Sequence, residues 1–444
     1  MRSIRNLMLC ALGVGLSLSS ATLHANELGP LIELLIKKDI ITAEEAEELR
    51  AELSTEYAAT PAGKLSLPEK VKQLRVEADL RTRYQHESVR AQGQSDAKER
   101  NRWRYRLKMG WFYKFSEGWS TGIQVETSDN SDSTNTDFGG YFDKEGDDLF
   151  LGQVYLDYSS RTSFADLINF TVGKKKHPFM MPSAVWDSDI NPEGFTQQMG
   201  WIYEGDHWLK LRAGQYLIDE IREDRTGAER DRWLFVAQAE YQYHLGLRSD
   251  LRIAPYILVE SGGTTSSSIA EGGNTPSNEN HIPYFRNMAF VALPVEWKFH
   301  YRNTPQQLSA AVGMNLKGDD AILDLRSPYR PTHFSGSLLR DSNNLFLQTA
   351  YRIGSNRNAR DWMLSLEYRY LGAAAITPNL SDSDFGKNRL NQKGFILSGS
   401  YMISDSVKFE LTYLSSEAIR SNWRSQVADA SDVDLIQVDL SAKF

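Results

Sequence analysis

Arg102, Arg104, Arg106 and Lys108 put four cations at alternate positions of one short stretch, and Arg75, Arg81 and Arg83 share a parity just before it. In an extended strand, side chains two apart share a face, so each stretch presents a row of fixed positive charge. Such rows order water and discriminate among ions and polar solutes when carboxylates lie near them. They are not a catalytic signature. A hydrolase needs a nucleophile with a base in reach, and His86, His177, His207, His244, His281, His300 and His333 are scattered outside any nucleophile motif. The single cysteine, Cys10, lies in the N-terminal apolar stretch. With no phosphate loop, haem-attachment motif or His/Cys cluster, no cofactor or metal site is expected, and the chain reads as a non-enzyme. A net charge of −8 argues against nucleic acid as a partner.

The elements that carry these rows change character along the chain. Arg2 and Arg5 precede an apolar run from Leu7 to Leu18 and then small Ala25, the form of an export signal over residues 1–25, with a cut after Ala21 as the alternative. The apolar run is shorter than the ~20 residues of a spanning helix. Over residues 26–60, Leu31, Leu34 and Leu35 share a helical face, and Thr42-Ala43-Glu44-Glu45 has capping-box form. This predicts a short periplasmic helical segment. Pro61, Gly63 and Pro68 mark residues 61–73 as a linker.

From Leu74 to Phe444 the period is two. Leu74, Val76, Ala78, Leu80, Thr82 and Tyr84 alternate with Arg75, Glu77, Asp79, Arg81 and Arg83. Sliding that segment by one residue would turn five charges toward the apolar side, at roughly 10 kcal/mol if lipid lies there. About sixteen such segments (14–18) follow one another. Short connections such as Ser116–Gly118 alternate with long ones such as 128–148, 176–193 and 372–393. That alternation, a mean hydropathy of −0.46, and aromatics near segment ends (Trp103, Trp111, Tyr113, Trp119, Tyr241, Tyr243, Tyr368, Tyr370, Tyr413) predict an all-β fold. The expected architecture is a transmembrane antiparallel β-barrel preceded by a short α-helical segment. The acidic loop 128–148 lacks calcium-loop spacing and reads as a solvated surface loop.

Two segments carry family likenesses. The last strand, Asp434 to Phe444, resembles the terminal strand read by the barrel-assembly machinery of Gram-negative outer-membrane proteins, with Phe444 as its signal. Gly173-Lys174-Lys175-Lys176-His177-Pro178-Phe179, followed by Trp186-Asp187-Ser188-Asp189-Ile190-Asn191-Pro192-Glu193-Gly194, resembles the signature of the putative porin family. "KKDIITAEEAEEL" is similar to that family's helical start, and Lys174 stands where its pattern has Arg. The resemblance implies a cell outer-membrane diffusion channel for ions and small hydrophilic solutes. The alternative is a non-conducting adhesin or structural barrel. By analogy with sixteen-stranded porins, the connection 176–193 folds into the bore. Asp187, Asp189 and Glu193 would then face Lys175, Arg75, Arg81, Arg83, Arg102, Arg104, Arg106 and Lys108 across a constriction, with Phe179 and Trp186 pinning the loop. The same analogy implies contact with lipid, lipopolysaccharide and the assembly machinery, and a homo-oligomer, a trimer by analogy. A second reading has the arginines as structural, paired with Glu77, Asp79 and other inward acids.

Overall fold

The computed structural model describes residues 73–91, 95–128, 134–139, 148–203, 207–220, 231–246, 248–261, 288–317, 344–372, 375–377, 380–387, 390–419 and 431–444. The expected export signal, helical segment and linker up to residue 72 lie outside the described residues. Gln73–Phe444 is a compact unit by itself.

Sixteen antiparallel strands form that unit. In chain order they are β1 (Gln73–Ala91), β2 (Lys98–Lys114), β3 (Trp119–Ser128), β4 (Asp148–Ser160), β5 (Leu167–Lys174) and β6 (Glu193–Tyr203). Next come β7 (His207–Asp219), β8 (Arg232–Gly246), β9 (Ser249–Ile253 and Tyr256–Ser261), β10 (Ala289–Tyr301) and β11 (Thr304–Asn315). The last are β12 (Leu345–Gly354), β13 (Trp362–Leu371), β14 (Gln392–Met402), β15 (Val407–Ala418) and β16 (Ser431–Lys443). Each pairs with its chain neighbour, and β16 pairs back onto β1 from Asp79↔Lys443 to Ala91↔Ser431. The ring is closed along the described strands, and where β3 ends the two-residue strand Thr136–Asp137 pairs with β2 at Arg104 and Tyr105. Phe444 exchanges both backbone hydrogen bonds with Ala78 at the seam.

The two-residue rhythm decides the faces. Leu74, Val76 and Leu80 are exposed on the outside, while Arg83, Gln85 and Glu87 of the same strand are buried inside. Trp103, Trp119, Tyr241, Tyr243 and Tyr413 all stand on the outer side, Trp119 and Tyr243 close to strand ends and Tyr413 in the middle of β15, which runs on to Ala418. The hairpin between β10 and β11 needs only Arg302 and Asn303, both at positive φ (49° and 64°), the conformation of a tight turn matched to strand twist.

The alternation alone places a loop over 85–101 and strand segments over 251–260 and 435–444, and the structure moves these bounds. β1 runs on to Ala91 and β2 starts at Lys98, so the first long loop is shorter than 85–101. Near that rim both faces are polar, and the alternation that marks a strand fades. β16 starts at Ser431 for the same reason. The segment expected over 251–260 is interrupted at Ala254–Pro255, because Pro255 has no N–H for the ladder.

Candidate functional site: the lining of the bore

The connection from 175 to 192 leaves the wall between β5 and β6. Gly173 and Gly194 face each other at that point, both with positive φ (116° and 149°). A Cβ on Gly173 would lie 2.4 Å from the Val154 carbonyl oxygen, and one on Gly194 2.1 Å from that of Gln215. Glycine at both positions lets the chain peel off the wall and turn inward.

Once inside, the loop packs on the inner wall of β7 to β12. Phe179, Ala184, Val185 and Trp186 are buried in one apolar cluster with Tyr216, Leu234, Val236, Tyr256, Leu258, Phe290 and Phe346. Phe179 and Trp186 both meet the Tyr216 ring edge-on, at 6.4 and 6.1 Å between centroids. Polar contacts fix the backbone. Gln238 accepts from the Met180 N–H at 2.9 Å and donates to its carbonyl at 2.9 Å, and Arg369 donates to Ser183 Oγ at 2.7 Å.

A second inward connection, between β13 and β14, joins the first. Ala375, Ile376, Leu380 and Leu390 belong to the same core. The Asp187 N–H donates to the Leu380 carbonyl at 2.7 Å, and the Ser383 N–H donates to the Asp187 carboxylate at 3.2 Å. Asp382 pairs with Arg369 at 2.6 Å. Asp384 sits 3.5 Å from Arg83 and accepts from Gln437 at 3.0 Å. The sequence reading assigned no role to the second loop's Ala375, Ile376, Leu380, Asp382, Ser383, Asp384 and Leu390. A signal was present: Trp233–Ala237, Tyr256–Val259 and Met288–Leu293 are unbroken apolar runs, the pattern of strands covered on both faces.

The opposite wall carries the charge. Lys108 reaches Asp189 at 3.1 Å and Glu126 at 2.7 Å. Arg106 lies 3.2 Å from Asp79 and 3.7 Å from Asp189. Arg104 pairs with Asp137 at 2.8 Å, and Arg102 lies 3.5 Å from Glu87 and 3.8 Å from Asp137. Arg83 is held by Asp439 at 2.7 Å, and Arg81 donates to Asn135. Lys175 reaches Asp157 at 2.8 Å and lies over the Tyr155 ring.

Several expected placements change. Asp189 meets the cationic row by direct contact, not across open water. Asp187 faces the second inward loop instead of the arginines. Arg75 pairs with Glu77 at 2.9 Å toward the short-turn rim, with both side chains more than half exposed. Glu193 is on the outer face, sharing parity with exposed Phe195 and pairing with Lys174 at 3.1 Å. The peeling of the chain at Gly173 and Gly194 leaves this pair on the lipid side. Asp137 belongs to the loop read as solvated, yet it folds back on β2. Asp129, Asp132, Asp143 and Asp147 lie outside the described residues.

Under the apolar core runs a hydrogen-bonded belt. Asp157 accepts from Asn169, Asn169 from Gln198, and Gln198 from Arg212. Glu240 then holds Arg212 and Arg252, and Glu296 holds Arg252 and Gln307. The belt crosses β4 to β11 and satisfies charges that the core above would otherwise strand.

In the inward loops, charge state follows surroundings. Burial pushes the Asp189 carboxyl up, but Lys108 and Arg106 outweigh it and bring its pKa down to about 2. Burial, helped by Lys176, lowers the His177 imidazole to about 4, so it is neutral between Phe179 and Trp186.

A family model described as "Putative porin" matches residues 92–336 and 341–444. The chain belongs to the putative porin family. The porin's fold resembles that of Pseudomonas putida OprB, with a TM-score of 0.50 at 8% identity, covering 85% of this chain and 95% of that one. The outer membrane channel DcaP of Acinetobacter baumannii matches at 13% identity and TM-score 0.42, over 84% of this chain and 97% of that one. Pseudomonas aeruginosa OccD3 (OpdP) matches at 12% identity and TM-score 0.41, over 84% and 92%. A search of curated proteins returned no match. The porin is a transmembrane barrel of the outer membrane, and its function is that of a diffusion channel.

Proposed function

We propose that ions and small hydrophilic solutes cross this porin along one side of the bore, next to β1–β5 and β14–β16. The observation that carries the reading is the apolar core. Two inward loops fill the bore against β7–β12, which leaves the charged wall as the wettable surface. There Asp189, Asp384 and Asp137 alternate with Lys108, Arg106, Arg104 and Arg83, and Lys175 adds a cation beside Asp157. Opposite charges in contact give a short-ranged, mixed-sign lining. It admits hydrated solutes of either sign and disfavours apolar ones. Phe179 and Trp186 act as loop anchors. Phe444 ends the seam strand and serves as the signal for the assembly machinery, and lipid and lipopolysaccharide surround the outer face.

The test is planar-bilayer recording of the purified protein. Discrete current steps are expected, and silence across several refolding conditions would favour the adhesin or structural barrel. Neutralising Arg102, Arg104 and Arg106 to Gln takes one or more cations from each of Glu87, Asp137, Asp79 and Asp189, while Asp137 keeps Arg100 and Asp79 keeps Lys443. The reversal potential in a salt gradient then moves toward cation selectivity. An unchanged potential makes these arginines purely structural.

A further inference from the structure

Two aromatic rings lie against the inner wall on the charged side of the bore. Phe112 on β2 and Tyr155 on β4 flank Gly122 of β3 in one cross-strand row, which Arg75 of β1 extends. A Cβ on Gly122 would come 2.6 Å from Tyr155 Cε1, and one on Gly110 2.7 Å from Phe112 Cε2. The two glycines let each ring fold down onto the strands instead of standing up in the bore. A third ring repeats the device, since a Cβ on Gly214 would come 2.6 Å from Tyr216 Cε2. That ring is taken: Phe179 and Trp186 of the first inward loop pack against it, and Tyr216 is buried. Phe112 and Tyr155 are only part-buried, and what lies over them is charge. The Arg75 guanidinium sits 4.9 Å from the Phe112 centroid and the Lys175 ammonium 4.4 Å from that of Tyr155.

Each of those cations is also held by a carboxylate, Arg75 by Glu77 at 2.9 Å and Lys175 by Asp157 at 2.8 Å. The formal charge of the patch cancels. For an ion of either sign, attraction to one member of each pair is offset by repulsion from the other. A neutral solute pays no such penalty and finds N–H donors and carboxylate acceptors beside two apolar faces. Aromatic faces carry partial negative charge and attract the slightly positive hydrogens of C–H groups, as they attract the two cations. With β3 between them, the rings stand on strands about 10 Å apart, a span comparable to two linked sugar rings. Phe112 is four residues beyond Lys108 toward the short turn, which at a tilt of about 40° puts it roughly 10 Å past the Lys108–Asp189 contact.

We propose that Phe112 and Tyr155 form a stacking subsite for a neutral sugar on the periplasmic side of the charged narrowing. It rests on the reading that solutes cross next to β1–β5, and it names one class of them. The sugar lays its C–H faces on the two rings. Arg75 and Lys175 swing off those faces, keep Glu77 and Asp157, and turn their N–H groups to the sugar hydroxyls. Gly110 and Gly122 act as positioning residues, because they set the height of each ring above the wall.

The experiment records the purified protein in planar bilayers with maltose as the neutral sugar. Mannitol, an open-chain polyol with no ring face to stack, is the control. Maltose is expected to interrupt the current reversibly, at a frequency that rises with its concentration, and mannitol is not. Losing both faces in Phe112→Leu with Tyr155→Leu should raise the maltose concentration needed by about tenfold. Gly122→Ala keeps both rings but displaces Tyr155, and should weaken the interruptions in the same direction. Heat-modifiable migration on gels shows that each variant folds; if the double variant does not, the wild type and Gly122→Ala decide. Currents that maltose leaves uninterrupted, an equal response to mannitol, or interruptions unchanged in the folded variants overturn the proposal. A wild type without current removes the channel and the subsite together, whereas current without a maltose response removes the subsite alone.

Discussion

The inner faces of β2 and β8 are built on the same alternating backbone and carry opposite chemistry. On β2 the inward positions are Arg102, Arg104, Arg106 and Lys108, each facing a carboxylate. On β8 they are Leu234 and Val236, buried under the inward loops, with Gln238 and Glu240 just below. The difference shows that the bore of a barrel is not one environment. An apolar stretch of inner wall calls a loop down to cover it, since leaving it wet forfeits about 25 cal/mol per Å². A charged stretch instead draws acids into contact and stays hydrated. The first side holds the loops and the second bounds the path.

That division can be broken from the apolar side first. Trp186→Ala removes the largest loop side chain from the core and should cost about 3–5 kcal/mol of seating energy. Limited proteolysis would then cut within 175–192, and bilayer currents would become noisy; an intact loop would show that polar contacts hold it instead. Acid is the next largest lever. The His177 pKa is about 4 when seated, against about 6.5 when free. Between those values the detached loop binds the proton, so seating weakens as pH falls from about 6.5 through 4, by up to about 3 kcal/mol. Current noise should rise at pH 4 in the wild type and not in His177→Phe; the same rise in both would place the acid response elsewhere.

On the charged side the effects are smaller. Asp189→Asn removes the anion shared by Lys108 and Arg106. Because Asp189 is about one-third exposed, the cost is about 1 kcal/mol. The reversal potential should move toward anions with no new protease site in the loop, and loop cleavage would mean that the ion pair, not the core, seats it. Smallest of all, Lys174→Gln with Glu193→Gln removes an outer pair and should change stability by less than about 0.5 kcal/mol and leave selectivity alone.

Much of the barrel could be read from the alternation, because lipid outside and water inside impose the same rhythm on every strand. It failed where that contrast is weak, at the polar rim beyond Tyr84 and before Leu435. The cationic row was legible, since Arg102 to Lys108 keep strict parity. Its partners were not. Asp137, Asp384 and Asp439 come from distant parts of the chain, and no local spacing announces them. Glu193 misled because a loop acid beside Asp187 and Asp189 gives no sign of which side of the wall it leaves by. The second inward loop was hinted at by apolar runs such as Trp233–Ala237, which break the alternation they were read against.

The seat of the first inward loop is made from chain that comes after it. Ala184 contacts Gln348, Ser183 contacts Arg369 and Asp187 contacts Ser383, at separations of 164, 186 and 196 residues. Contacts that distant form slowly, since long segments must first be brought into place. Residues 175–192 can meet β7 and β8 early, but their seat is completed only when thirteen strands and the second loop have arrived. Narrowing of the bore belongs to the end of assembly, and a barrel stalled before that stage is wider than the finished one.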